Sequence, residues 1–95
     1  MIPALKTVIV DCAGVRSEAE FWERYLRLTD ADGAGYFGRN LDAFWDALSG
    51  GPGWPGECEL LFTNVAYLAE LRDGRFLAGL QRIADESEFV MVVLS

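Results

Sequence analysis

Residues 36–48 read YFGRNLDAFWDAL, a stretch in which a helix start, an apolar stripe and paired acidic residues coincide. Asn40 is a favoured N-cap residue, so a short helix is expected from Asn40 to about Ser49. Apolar side chains recur along it at positions i, i+3, i+4 and i+7, which predicts one buried face. The residues of that face are Leu41, Phe44, Trp45 and Leu48.

Two aspartates, Asp42 and Asp46, lie four residues apart on this helix. Because an α-helix turns by about 100° per residue, both lie on the flank next to Trp45, with Ser49 on the same side. Asp46 is placed mid-helix, where aspartate is a poor helix former and repels Asp42 by roughly a few tenths of a kcal/mol. The pair is either an acidic binding face or a solvated flank, and selection for stability alone would not favour it.

The neighbouring residues favour a binding face. Ala43 and Ala47 are small and are expected to leave the adjoining surface flat, so that a partner can approach the carboxylates. Tyr36, Phe37 and Trp45 supply large aromatic side chains nearby. Aromatic anchors beside charges that lose water are typical of interface hot spots.

Outward toward the N-terminus, the chain predicts one strand and one further helix. Residues 5–10 (LKTVIV) form a β-branched run typical of a strand. Ser17 and Glu20 form a capping box, which predicts a helix that ends near the turn at residues 29–33. This helix carries Phe21, Trp22, Tyr25 and Leu28.

Toward the C-terminus, strands and helices continue to alternate. A Gly/Pro-rich loop at residues 50–56 is followed by a strand at 59–63, and Asn64 is expected to cap a short helix through Leu71. The run FVMVVL at 89–94 is typical of a strand buried on both faces of a parallel sheet. The last helix ends near Glu86, with Phe76, Leu77, Leu80, Ile83 and Ala84 facing inward, and nothing in the sequence explains Gly79 inside it.

The resulting order is β-α-α-β-α-α-β, in a single α/β domain of residues 1–95. Strands separated by helical crossovers are expected to pair in parallel, with right-handed connections. No dimer seam is visible, so a monomer is expected.

Composition narrows the function. Fifteen acidic residues against eight basic ones give a net charge of −7, which repels nucleic acid and anionic membranes and favours a cationic partner. The chain has no histidine, so the commonest general base and metal ligand is missing. An enzyme could still use Asp42 and Asp46 as an acid/base pair, but an exposed helix offers no pocket to raise one pKa. A protein without catalytic activity or cofactor is expected.

Cys12 and Cys58 are the only cysteines, and free thiols of a reducing compartment are expected. The N-terminal sequence lacks the features of a signal peptide, and no apolar run reaches the roughly 18 residues of a membrane span. A cytoplasmic protein without a membrane partner is therefore expected.

Residues 36–48 resemble the signature of the barstar family, aromatic-aromatic-Gly-x-Asn-Leu-Asp-Ala-(Leu/Phe)-Trp-Asp. The order of elements and the ending at residues 92–95 (VVLS) are also similar. The resemblance implies a small fold with three parallel strands packed against helices. It further implies 1:1 inhibition of a secreted bacterial guanyl-specific ribonuclease of the barnase type.

The resemblance also implies roles for individual residues. Asp46 is similar to the family's central anchor, whose carboxylate occupies the position of the RNA phosphate, and Asp42 is similar to the second carboxylate. The other implied partner-binding residues are Tyr36, Gly38, Asn40, Ala43, Trp45, Ser49 and Glu86.

Two departures from the family pattern affect the expected partner. Gly51 stands where the founding member has a tryptophan, a loss for which Trp54 is a candidate replacement. Arg82 stands in place of a glutamate and would repel a cationic nuclease, so an actinomycete ribonuclease fits better than barnase itself. The alternative is a barstar-fold immunity or regulatory protein for a different toxin nuclease or a non-nuclease partner.

Overall fold

The computed structural model describes residues 6–95, which form one three-stranded sheet and the helices that connect its strands. All strands are parallel, in the order β1-β2-β3. The strands are β1 (Lys6–Asp11), β2 (Cys58–Thr63) and β3 (Met91–Leu94). The α-helices are α1 (Glu18–Thr29), α2 (Leu41–Ala47) and α3 (Arg75–Glu86), and the 3₁₀ segments are Ala34–Tyr36, Val65–Leu68 and Leu71–Gly74.

This architecture confirms the predicted α/β fold and the order β-α-α-β-α-α-β. The helix expected from Asn64 through Leu71 is a 3₁₀ segment, Val65–Leu68, rather than an α-helix. Asn64 does not cap it. Instead, Asn64 adopts a left-handed backbone conformation, with φ 55°, and its Nδ2 donates a hydrogen bond of 2.7 Å to Asp11 Oδ1. This bond, together with one from the Ala13 amide, lowers the pKa of the Asp11 carboxyl below its usual value.

Burial alternates along each strand. In the parallel register Val8 lies beside Leu60, and Leu60 beside Val92, and all three are buried. Ile9 and Val93, which lie on either side of Leu61 in the same register, are exposed. Among the described residues the helices therefore cover only one face of the sheet.

The prediction that residues 89–94 form a strand buried on both faces was therefore wrong. The strand begins at Met91, and Met91 and Val93 are exposed while Val92 is buried. Phe89 precedes the strand and is 70% exposed. The apolar run was misleading because Met91 and Val93 lie on the face of the sheet that the helices of residues 6–95 leave uncovered.

The core on the covered face consists largely of aromatic rings and holds α2 against α1. The ring centroid of Phe44 on α2 lies 5.5 Å from that of Trp22 and 5.2 Å from that of Tyr25, both on α1. Such aromatic pairs each contribute about 0.5–1.5 kcal/mol beyond the burial of their area. The remaining aromatic residues of this cluster are Phe21, Phe37, Phe62 and Phe76.

Two further predictions concern the thiols and the start of α1. Cys12 and Cys58 are both free, as expected, and both are buried. Ser17 caps α1 by accepting a hydrogen bond of 3.1 Å from the Glu20 amide, while Glu20 accepts from the Arg16 amide rather than that of Ser17.

Within residues 6–95, no helix is long and apolar enough to cross a membrane.

Candidate partner-binding face

The start of α2 is held by the residues that precede it. Asn40 Oδ1 accepts a hydrogen bond of 2.8 Å from the Ala43 amide, as the N-cap prediction requires, and its Nδ2 donates to Gly38 O at 3.2 Å. A Cβ atom at Gly38 would lie only 3.0 Å from Cβ of Ala43. Gly38, Asn40 and Ala43 therefore form one closely packed unit, in which Gly38 is exposed.

The buried side of α2 differs from the predicted stripe. Phe44, Ala47 and Leu48 are buried, whereas Trp45 is 42% exposed and Leu41 is only partly buried. The helix is rotated so that Phe44 enters the aromatic core, and this rotation turns Trp45 toward solvent. The expectation that Ala47 belongs to a flat outer surface was therefore wrong, because Ala47 is fully buried.

Asp42 and Asp46 are both exposed on α2, with Trp45 beside them. Within residues 6–95 neither carboxylate forms an ion pair. Because α2 ends at Ala47, Asp46 lies in the last helical turn rather than mid-helix as predicted. A negative charge there is disfavoured by the helix dipole, whereas Asp42 in the first turn is favoured.

The chain turns back immediately after α2. The main-chain oxygen of Asp46 accepts hydrogen bonds from the amides of Ser49 at 3.1 Å and Gly51 at 3.0 Å. A Cβ atom at Gly51 would lie 3.0 Å from that oxygen, so an ordinary side chain at this position would crowd the turn. Trp54 packs against the hydrophobic core and is partly buried, so the structure gives it a packing role.

An open groove runs between α2 and α3 and brings together residues that are far apart in the chain. Asp42 and Asp46 line it on the α2 side, and Glu86 lines it on the α3 side. Arg82 also lies in the groove, with its Nε 3.6 Å from Oε1 of Glu86. Both side chains are largely exposed, so this pair contributes little to stability. The groove is lined by Leu41, Asp42, Trp45, Asp46, Arg82, Ile83 and Glu86.

A smaller cavity adjoins the groove beyond Trp45. It has a volume of about 170 Å³ and lies between the end of α2 and the segment that follows α3. It includes Ser49, a predicted site residue, and also Glu88 and Phe89, which sequence reasoning did not select. The cavity is lined by Trp45, Leu48, Ser49, Glu86, Ser87, Glu88 and Phe89.

The predicted site residues thus divide into three groups. Asp42, Trp45, Asp46 and Glu86 line the groove, and Ser49 lines the adjoining cavity. Gly38, Asn40 and Ala43 build the first turn of α2. Tyr36 ends the preceding 3₁₀ segment and is 86% exposed, but it lines neither the groove nor the cavity.

Phe89 and Glu88 were missed for a specific reason. Phe89 opens an apolar run that was assigned as a whole to a buried strand. Ser87 and Glu88, directly before it, are the only local signal that the run begins in a turn.

Comparison with known protein families identifies the family to which the chain belongs. No curated protein matches the chain. The family model described as "Barstar (barnase inhibitor)" matches residues 5–91, a range that includes the groove and most of the sheet. The chain therefore belongs to the barstar family, a family of barnase-type ribonuclease inhibitors.

Proposed function

We propose that this protein inhibits a secreted bacterial guanyl-specific ribonuclease by forming a 1:1 complex in which Asp46 occupies the position of an RNA phosphate. The observation that supports this most directly is the exposure of Asp42 and Asp46, without ion-pair partners among residues 6–95, beside the half-exposed ring of Trp45. Carboxylates held on a rigid helix are matched to a site that must bind phosphate. The proposal takes Asp46 as the central anchor and Asp42 as the second one.

The chemistry of inhibition follows from what a ribonuclease site contains. Such a site presents cationic donors to the phosphate, and a carboxylate can accept charge-assisted hydrogen bonds from the same donors. Because Asn40 caps α2 and Phe44 anchors it in the core, the carboxylates need little ordering on binding. The occupied donors are then unavailable to RNA.

The overall charge supports rapid binding to such a target. A net charge of −7 attracts a cationic nuclease over a range that salt shortens. We therefore expect an association rate that falls steeply as ionic strength rises, with a smaller change in the dissociation rate.

Arg82 supports a narrower statement about the partner. This cation lies in the groove next to Glu86, so the part of the partner that meets Arg82 should be less basic than the part that meets Asp42 and Asp46. This favours an actinomycete-type guanyl-specific ribonuclease over barnase. The same observation supports the second candidate, an immunity protein for a different toxin nuclease.

The experiment is a titration of the purified protein into barnase and into an actinomycete guanyl-specific ribonuclease, with RNA cleavage as the readout. Inhibition with a 1:1 end point is expected for at least one enzyme, and the protein alone should not cleave RNA. Asp46→Asn should weaken the binding free energy by about 2–5 kcal/mol, because the cationic donors lose their charged partner.

Glu70→Gln is the matched control for this experiment. It removes the same charge from an exposed residue that lines neither the groove nor the adjoining cavity. Inhibition that survives Asp46→Asn as well as Glu70→Gln would disprove the proposed role of Asp46. If a folded sample inhibits neither enzyme, the second candidate becomes the better one.

A further inference from the structure

The cavity beyond Trp45 continues the groove past the end of α2. It shares Trp45 and Glu86 with the groove, so one partner covering the groove would also reach it. Its volume of about 170 Å³ is below the roughly 300–1,000 Å³ of small-molecule sites, and it suits a single side chain.

The segment that forms the far side of the cavity is held in place. Ser87 donates from its amide to Ile83 O at 2.9 Å and from its Oγ to Val90 O at 2.8 Å. These bonds fix the turn between α3 and β3, in which Phe89 is 70% exposed. Phe89 and the half-exposed ring of Trp45 line the same cavity, and two exposed aromatic rings placed together are typical of interface anchors.

The chemistry of the lining favours a cation with an apolar stem. The exposed rings of Trp45 and Phe89 offer apolar surface and cation–π attraction, while Glu86 and Glu88 offer carboxylates. An anionic group would be repelled by both glutamates. A long basic side chain can satisfy both kinds of surface at once.

We propose, on the basis of the proposed function, that this cavity receives an arginine or lysine side chain of the ribonuclease. The hydrocarbon stem lies against Trp45 and Phe89, and the charged head meets Glu86 and Glu88. Phe89 thus supplies an aromatic contact to a partner, whereas Gly51 in the loop after α2 has no side chain with which to make one.

The test compares charge reversals at two exposed glutamates, using the ribonuclease that the wild-type protein inhibits. Glu88→Arg and Glu70→Arg each raise the net charge of −7 by two units, but Glu70 lines a separate cavity that shares no residue with this one. The change in net charge is therefore the same, and the difference between the two variants reports the effect of charge at the cavity itself. We expect Kd to be about tenfold or more higher for Glu88→Arg than for Glu70→Arg, mainly through faster dissociation.

A second pair of variants tests the aromatic contact. Phe89→Ala should raise Kd about tenfold, whereas Tyr67→Ala, at another exposed aromatic ring, should change it less than twofold. Thermal unfolding of each variant checks that the fold is kept, which is expected because both rings are more than half exposed.

The outcomes separate the two proposals. If the ribonuclease is inhibited and Asp46→Asn weakens inhibition as expected, but Glu88→Arg binds as well as Glu70→Arg, the cavity does not receive a cation and the proposed function stands. An unchanged Kd for Phe89→Ala likewise overturns the aromatic contact alone. If neither ribonuclease binds the wild-type protein, both proposals fall.

Discussion

A Cβ atom at Gly79 would lie 2.6 Å from Cδ1 of Leu41, so the absence of a side chain at position 79 lets α3 pack closely against α2. This contact explains a glycine in a helix interior, which costs about 1 kcal/mol relative to alanine. It also sets the spacing of the groove, because Leu41 lines it and α3 supplies its other side.

Alanine at position 79 should therefore stabilise the protein only when Leu41 is also shortened. In the wild-type background, the propensity gain of about 1 kcal/mol is expected to be offset by about 0.5–1.5 kcal/mol for an off-rotamer Leu41. In a Leu41→Ala background the full gain should appear. Urea unfolding of the four proteins measures the coupling energy.

Ala78→Gly is the control for helix propensity at a neighbouring exposed position, and it should cost about 1 kcal/mol. If Gly79→Ala stabilises equally in both backgrounds, the two residues are not coupled and the close contact does not explain the glycine.

The two aspartates of α2 should differ in their effect on stability. Asp46→Asn removes a charge that the helix C-terminus disfavours, so it should raise the free energy of unfolding by about 0.3–1 kcal/mol. Asp42→Asn removes a charge that the N-terminus favours and should bring no comparable gain. Urea unfolding at low and high salt checks this, because the difference should shrink as salt is added.

Removing the cap of α2 should weaken both folding and inhibition. Asn40→Ala loses the bond to the Ala43 amide and should cost about 1 kcal/mol of stability. Ser17→Ala loses the equivalent bond at α1 and should cost a similar amount, but it should leave inhibition unchanged. Equal inhibition by both variants, measured well below their unfolding temperatures, would show that the cap does not order the binding face.

The buried thiols should be unreactive in the folded protein. Burial raises the pKa of the Cys12 thiol to about 11 and also raises that of Cys58. Iodoacetamide at pH 8 is therefore expected to label neither cysteine until urea unfolds the chain. Rapid labelling of the native protein, detected by mass spectrometry, would show that at least one thiol is accessible.

The same shift makes stability depend on alkaline pH. The pKa of Cys12 has its ordinary value of 9.0 in the unfolded chain and is raised to about 11 in the folded protein. Its contribution is therefore complete below pH 9 and is lost as pH rises through that interval. The free energy of unfolding should fall less steeply between pH 9 and 11 in Cys12→Ala than in the wild-type protein.

Local patterns in the sequence were sufficient for the features that depend on near neighbours. The caps Ser17 and Asn40 and the shared flank of Asp42 and Asp46 follow from helix geometry over a few residues. The three parallel strands follow from apolar runs separated by helical crossovers, and the motif at residues 36–48 indicated the family that the comparison confirmed.

Tertiary packing decided the rest. Trp45 is exposed because Phe44 occupies the core, and Phe89 is exposed because the strand starts later than its apolar run. Gly79 is explained only by Leu41, which lies 38 positions earlier in the chain. A residue's type determines which surroundings suit it, but which face is covered depends on contacts between segments far apart in sequence, and these form only when the whole chain has packed.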